Sequence, residues 1–170
     1  MSDRIAIMNR GRIDQVGPPG VVYEQPVNPF VGRFLGEANL IEGSVTSADG
    51  DGVRLVLSSG QELRALRSNG HSSGTGLLFI RPERVGIAPK PDGTSATYAA
   101  ELTQRNILTG QVSRCSFLGN ILRYAVKVNG IAPITVDLQN AVGVSPLAVG
   151  TSVTLDWPIA DSLILPRESQ

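Results

Sequence analysis

Turns recur too often in this chain to leave room for long helices. Nineteen glycines and eleven prolines punctuate its 170 residues. The stretches between them are short and alternate apolar with polar side chains, the pattern of half-buried strands. Leu40 to Thr46, Val53 to Leu57 and Gln61 to Leu66 alternate in this way around turns at Ala48 to Gly52 and Ser58 to Gly60, which predicts a meander. Further strands are expected at Leu77 to Ile80, Val85 to Ala88, Tyr98 to Arg105, Gly110 to Phe117, Ile121 to Val128, Ile134 to Leu138, Val153 to Trp157 and Leu163 to Leu165. Leu118-Gly119-Asn120 and Asn129-Gly130 supply tight turns, with Phe117-Leu118-Gly119 expected as barrel core running into its turn. Aromatics make up only 5% of the chain, so the core has to come from Val, Ile, Leu and Ala. The fold class is mainly β, a small barrel or sandwich.

The opening residues follow another pattern. Asp3 to Met8 and Arg12 to Val16 predict a hairpin around Asn9-Arg10-Gly11. Pro19 suits the first turn of a short helix carrying Val21, Val22 and Tyr23 and ending before Pro26, though Pro18 leaves it without a side-chain cap. Asn28 is a candidate N-cap before Pro29, and Phe30, Val31, Phe34 and Leu35 fall at helical spacing ahead of Gly36. A lone hairpin and two short helices are marginal; they need a surface to bury their apolar stripes.

Composition narrows the function. Fifteen acidic residues balance fifteen basic ones, so no global field favours nucleic acid or an anionic membrane. Phe79, Tyr98, Phe117, Tyr124 and Trp157 stand in apolar strand contexts, unlike the exposed stacking rings of a single-strand binder. The arginines are scattered along the strands, as on solvated faces with local ion pairs. No apolar run approaches membrane-spanning length and no signal-peptide pattern precedes Asp3. A cytoplasmic protein is expected, reaching a membrane only through a partner. The single cysteine, Cys115, is a small partly buried hydrophobe, and His71 lies in an expected polar loop, Ser68 to Gly76, with no second metal ligand nearby. Asp49 and Asp51 lack the closing Glu of a calcium loop and mark a hairpin turn. There is no GxxxxGK[ST] loop, no paired catalytic carboxylates and no GxSxG.

The stretch SDRIAIMNRGRIDQVGPPGVVYEQPVNPFVGRFLGEANLIEG resembles the end of the nucleotide-binding domain of ABC importer ATPases and the entry into their C-terminal domain. The pieces of resemblance are Ser2 to Met8, Asn9 to Gly17, Val22-Tyr23-Glu24-Gln25-Pro26 and Phe30 to Gly36. The Gly36-Glu37-Ala38-Asn39-Leu40 junction is most similar to the polyamine (spermidine/putrescine) and iron-type branch. The remainder resembles the TOBE domain, an OB-like barrel, through Phe79-Ile80-Arg81-Pro82-Glu83-Arg84-Val85, Phe117-Leu118-Gly119, Arg123-Tyr124-Ala125-Val126, Val149 to Trp157 and Leu163 to Pro166. The likeness covers nearly the whole chain. It implies residues 1–38 as the C-terminal remnant of the ATPase domain and 39–170 as the TOBE domain.

The resemblance implies further expectations. The phosphate-binding loop, signature motif, Walker B acid and switch histidine would precede Ser2, so ATP and Mg²⁺ would belong to the full-length parent, with no cofactor and no hydrolysis in this fragment. The expected role is a regulatory and dimerising domain of an importer's ATP-binding subunit, with a second copy, the ATPase domain and the membrane subunits as partners. Arg81 and Glu83 either face a partner, exposed by Pro82, or form a solvated pair bounding a strand. Ile5, Ile7, Ile13, Val16, Val22, Phe30 and Phe34 would bury against the absent sheet, and left uncovered would pair with another copy. The alternative is an oxyanion sensor: Leu102 to Val112 is similar to a segment of molybdate-binding TOBE proteins, with Thr103, Arg105 and Asn106 as candidate ligands. Against it, Gln104 departs from that pattern and Asp156 carries the wrong sign; Arg105-Asn106 would then be a strand-end turn.

Overall fold

A computed structural model describes residues 2–46, 52–68, 73–90, 104–141 and 145–167. The chain opens with a hairpin of β1 (Ile5–Asn9) and β2 (Arg12–Gly17), then α1 (Pro19–Glu24) and α2 (Pro29–Phe34). Arg10 and Gly11 both take positive φ, 48° and 78°, the left-handed pair that a two-residue hairpin turn demands. α1 starts at Pro18 with no side-chain cap. α2 is capped as expected, the Asn28 side chain accepting from the Val31 amide at 2.9 Å.

Eleven strands follow among the described residues. They are β3 (Asn39–Thr46), β4 (Val53–Val56), β5 (Glu62–Ala65), β6 (Arg67–Ser68), β7 (Gly74–Ile80), β8 (Gly86–Pro89), β9 (Arg105–Phe117), β10 (Ile121–Val128), β11 (Ile134–Gln139), β12 (Ser152–Pro158) and β13 (Leu163–Pro166). The fold is mainly β and OB-like. Three expectations need correction. Gly110 to Phe117 is the later part of one long strand that starts at Arg105, because alternation continues through Ile107 and Leu108. Ser68 and Gly74 to Gly76, expected in a polar loop, are strand residues, Ser68 and Gly76 paired with β13 and Gly74 and Thr75 with β3. Phe117 is not core: it is 66% exposed beside the β9–β10 turn. The turn at Ala48 to Asp51, His71 and the strand from Tyr98 to Thr103 lie outside the described residues.

The strands form two sheets of the same plan. One runs β5-β4-β3-β7-β13-β6 and the other β11-β10-β9-β12-β8. Apart from the short β6, each is a meander of three, a return strand and a final strand contributed by the other half of the chain. The register repeats as well. Asn39 lies opposite Ile80 and Asn106 opposite Trp157; Leu163 lies opposite Phe79 and Gly86 opposite Asp156. Each return strand leads through one 3₁₀ turn, Pro82–Arg84 or Ile159–Asp161, into its final strand. The sequence carries the repeat as Asn-x-(Ile/Leu)-x-Gly-x-Val at 39–45 and at 106–112.

Each residue of that motif has a physical task. Ile41 and Val45, like Leu108 and Val112, enter one continuous core between the sheets with Leu78, Ile80, Tyr124, Val126, Leu155 and Trp157. A Cβ on Gly43 would stand 2.7 Å from the Val56 carbonyl, and one on Gly110 2.5 Å from that of Lys127, so only glycine lets the neighbouring strand close in. The Asn39 amide donates to the Thr135 carbonyl at 2.8 Å and accepts from the Thr135 N–H at 2.7 Å, on the edge strand of the opposite sheet. Asn106 treats Arg64 identically, at 2.7 Å both ways. Each asparagine thus substitutes for a strand, closing the sandwich into a barrel and satisfying an otherwise open edge.

Candidate functional site

The two halves differ most where the opening residues dock. At the positions of Phe79, Leu163 and Leu165 the second sheet has Asp156, Gly86 and Ala88. The outer face of the first sheet is consequently apolar: Phe79, Leu163 and Leu165 cluster there with Ala38, Leu40 and Leu77. α2 lies directly on it, so closely that a Cβ on Gly32 would stand 2.9 Å from the Phe79 ring. Beside α2 the same face continues as a groove of about 760 Å³ past Arg33, Leu40, Glu42, Leu77 and Ile131.

The second difference is a charge. Where β12 ends on Pro158, β7 runs into Arg81, which caps its 3₁₀ turn and is only 3% exposed. Its Nη2 donates to the Tyr23 carbonyl at 2.9 Å; its Nη1 donates to the carbonyls of Gly32, Glu37 and Gly36 at 2.9, 3.0 and 3.3 Å. The guanidinium carbon lies 3.9 Å from the Tyr23 ring centre and 4.8 Å from that of Phe79. A planar cation with several donors suits this position, since it gathers the last carbonyls of two short helices whose ends would otherwise be unsatisfied. Burial pushes its pKa below the usual arginine value, opposed by Tyr23 and Glu83. Its Nε is buried without a hydrogen-bond partner among the described residues.

Charges around the guanidinium extend the joint. The Tyr23 hydroxyl donates to Glu83 at 2.7 Å, and burial followed by this bond raises its pKa. Arg84 pairs with Glu24 at 3.3 Å. Arg123 on β10 forks onto Asp137 on β11 at 2.7 and 2.8 Å and reaches Glu37 at 3.5 Å. The hydrogen bond it donates to Asp137 is the largest cause of the raised Arg123 pKa. Three pieces meet here: the hairpin with its helices, the first sheet through Arg81 and Asn39, and the second through Arg123 and Thr135.

The expected partner residues sort unevenly. Arg81 is not exposed by Pro82; it is buried because its donors serve four backbone carbonyls. Glu83 is exposed but occupied by Tyr23. Ile7 is buried and Ile5 and Phe30 half-buried in a small core of their own with Val22 and Val31, so Ile7 is not an uncovered contact. Phe34 remains 62% exposed, as do Met8 and Ile13 at 60% and 59%. Of the oxyanion candidates, Thr103 lies outside the described residues. Arg105 is paired with Asp156, and Asn106 is buried on Arg64 and Ser162; the two open the long strand β9 and do not form a turn. The Asn106 amide is already engaged and the Arg105 charge is met by Asp156.

Sequence reasoning missed the burial of Arg81 because Pro82 suggested an exposed break. It missed the paired asparagines although the repeated heptapeptide was there to find. Among the described residues no group of three or more His, Cys, Asp or Glu could hold a metal ion. No helix among them is long and apolar enough to cross a membrane.

Comparison with known proteins agrees with this architecture. The family profile of the TOBE domain matches residues 78–165. The spermidine/putrescine import ATP-binding protein PotA of Rubrobacter xylanophilus is 31% identical over 168 residues, covering 97% of this chain and 41% of that protein. PotA of Frankia alni is 34% identical over 180 residues, with 98% and 36% covered, and that of Thermobifida fusca 32% over 168, with 98% and 41%. The chain thus spans about two fifths of the length of these relatives. A structure of the cytoplasmic molybdate-binding protein ModG, with molybdate bound, superposes with a TM-score of 0.61 at 20% identity, covering 76% of this chain and 96% of that one. At that identity the likeness is one of fold.

Proposed function

Because this chain belongs to the TOBE-domain family, we propose that it acts as the accessory module of an importer's ATP-binding subunit. In this reading residues 1–38 end the catalytic domain and residues 39–170 form the regulatory barrel. The barrel is held in fixed register with the catalytic domain and helps to pair two subunits. The observation that carries it is Arg81: a barrel residue spends its guanidinium on carbonyls of the hairpin–helix segment, so a displacement of either part is felt by the other.

ATP and Mg²⁺ do not fit the residues present. The chain's lysines are Lys90 and Lys127, and neither follows a glycine-rich loop that could cradle phosphates. Hydrolysis would therefore reside in the preceding part of a full-length subunit, on the cytoplasmic side of the membrane and joined to it through membrane subunits. The names of the relatives support spermidine or putrescine as the imported solute. An oxyanion site at Arg105 and Asn106 is the weaker alternative, since both side chains already hold partners.

A graft tests the reading. Residues 1–170 replace the corresponding C-terminal part of the Rubrobacter xylanophilus PotA, and ATP-driven spermidine uptake is measured in reconstituted vesicles. Uptake near that of the parent, with no ATP turnover by the isolated chain, is the expected outcome. A graft that folds and hydrolyses ATP yet supports no uptake would contradict it.

A further inference from the structure

We propose that the surface joining the two halves of the barrel fits a second copy of this chain, which can pair by exchanging halves. This stands on the barrel alone, whatever the module's role in transport. Neither sheet is complete within its own half: β8, from the first half, is the last strand of the second sheet, and β13, from the second half, extends the first. The antiparallel ladders β12–β8 and β7–β13 and the two asparagine stitches all run between halves. None of these contacts requires that both halves belong to one chain. Two chains can therefore build two barrels, each taking residues 2–90 from one copy and 104–167 from the other, with every interface contact kept.

What decides between the closed and exchanged forms is the connection from β8 to β9. Both strands flank β12, with Pro89 opposite Val153 and Arg105 opposite Pro158. Five residues along β12 and two inter-strand spacings place these ends about 19 Å apart. Deleting residues 91–103 would leave only Lys90 and Gln104 between them, a reach of at most about 11 Å. The shortened chain cannot close on itself but can close with a partner, because the link then runs between barrels.

The experiment uses both forms, in a Cys115→Ser background. The deletion variant should elute as a folded dimer of twice the chain mass. A folded monomer would overturn the proposal. A second measurement covers failure of that variant to fold. Full-length Ala88→Cys and Thr154→Cys copies, differently tagged, are unfolded together, refolded at high concentration under reducing conditions, and only then diluted and oxidised. These positions face each other across the β12–β8 ladder. Each copy has one cysteine, so a covalent species carrying both tags in the refolded fraction requires β8 of one copy beside β12 of the other. Absence of any such species would equally overturn it. An ordinary dimer through the exposed hairpin would not link these positions.

Discussion

The guanidinium carbon of Arg81 lies 3.9 Å from the centre of the Tyr23 ring. Tyr23 belongs to the first short helix and Arg81 to the barrel, so this contact, with four carbonyl hydrogen bonds, makes one body of two parts. Replacing Arg81 with Met would leave buried carbonyls without donors and cost about 3 kcal/mol. Lysine should recover only part of that, because a point ammonium cannot span the carbonyls that a fork reaches. Urea denaturation measures both. Glu83→Gln, at an exposed position, should change stability by less than about 1 kcal/mol.

Tyr23 also gives the joint an alkaline limit. Burial first, then the hydrogen bond to Glu83, raise its hydroxyl pKa above 10.0. Below that value the phenol is protonated in folded and unfolded chains alike, and its contribution is complete. Above it the unfolded chain loses the proton first, so stability falls as pH rises through the folded value. Tyr124, raised chiefly by burial, acts in the same direction. Tyr23→Phe should therefore flatten, without abolishing, the loss of urea midpoint between about pH 9 and 11.

Asn39 and Asn106 should respond alike to substitution. Each Asn→Ala change removes one donor and one acceptor from edge-strand backbone groups, for about 2–4 kcal/mol. Asn→Asp should be worse at neutral pH, because a carboxylate accepts from the N–H but opposes the carbonyl. Its cost should shrink in acid, when the protonated oxygen can donate. Guanidinium unfolding of the four single variants at two pH values measures this.

The hairpin turn allows a gain. Arg10 sits at φ 48°, where a β-carbon is strained and asparagine is tolerated. Arg10→Asn should raise stability by up to about 1 kcal/mol, read as a higher melting temperature.

The strands were legible wherever one face is buried and the other wet, because alternation then writes itself into the sequence. The Asn28 cap and the Arg10-Gly11 turn were legible for the same local reason. Arg81 was not, since what buries it is Tyr23, Gly32 and Glu37, 44 to 58 residues away. Nor was the function of Asn39 and Asn106, whose partners lie 96 and 42 residues distant on the opposite sheet. Local pattern reports which side of a strand is dry, not which distant backbone will use an amide. Phe117 misleads in the opposite sense: an aromatic on a strand suggests core, but β9 has by then run past its last β12 pairing at Gln111, and the ring is exposed.

The most direct measurement is the distance between spin labels on the hairpin and on the barrel. Ile13→Cys and Lys127→Cys, both at exposed positions, carry the labels in a Cys115→Ser background. The wild-type joint should give one narrow distance distribution in pulsed dipolar spectroscopy, and Arg81→Met should broaden it while the barrel stays folded. A broad distribution with Arg81 in place, or a narrow one unchanged by its loss, would contradict a rigid joint built on that side chain.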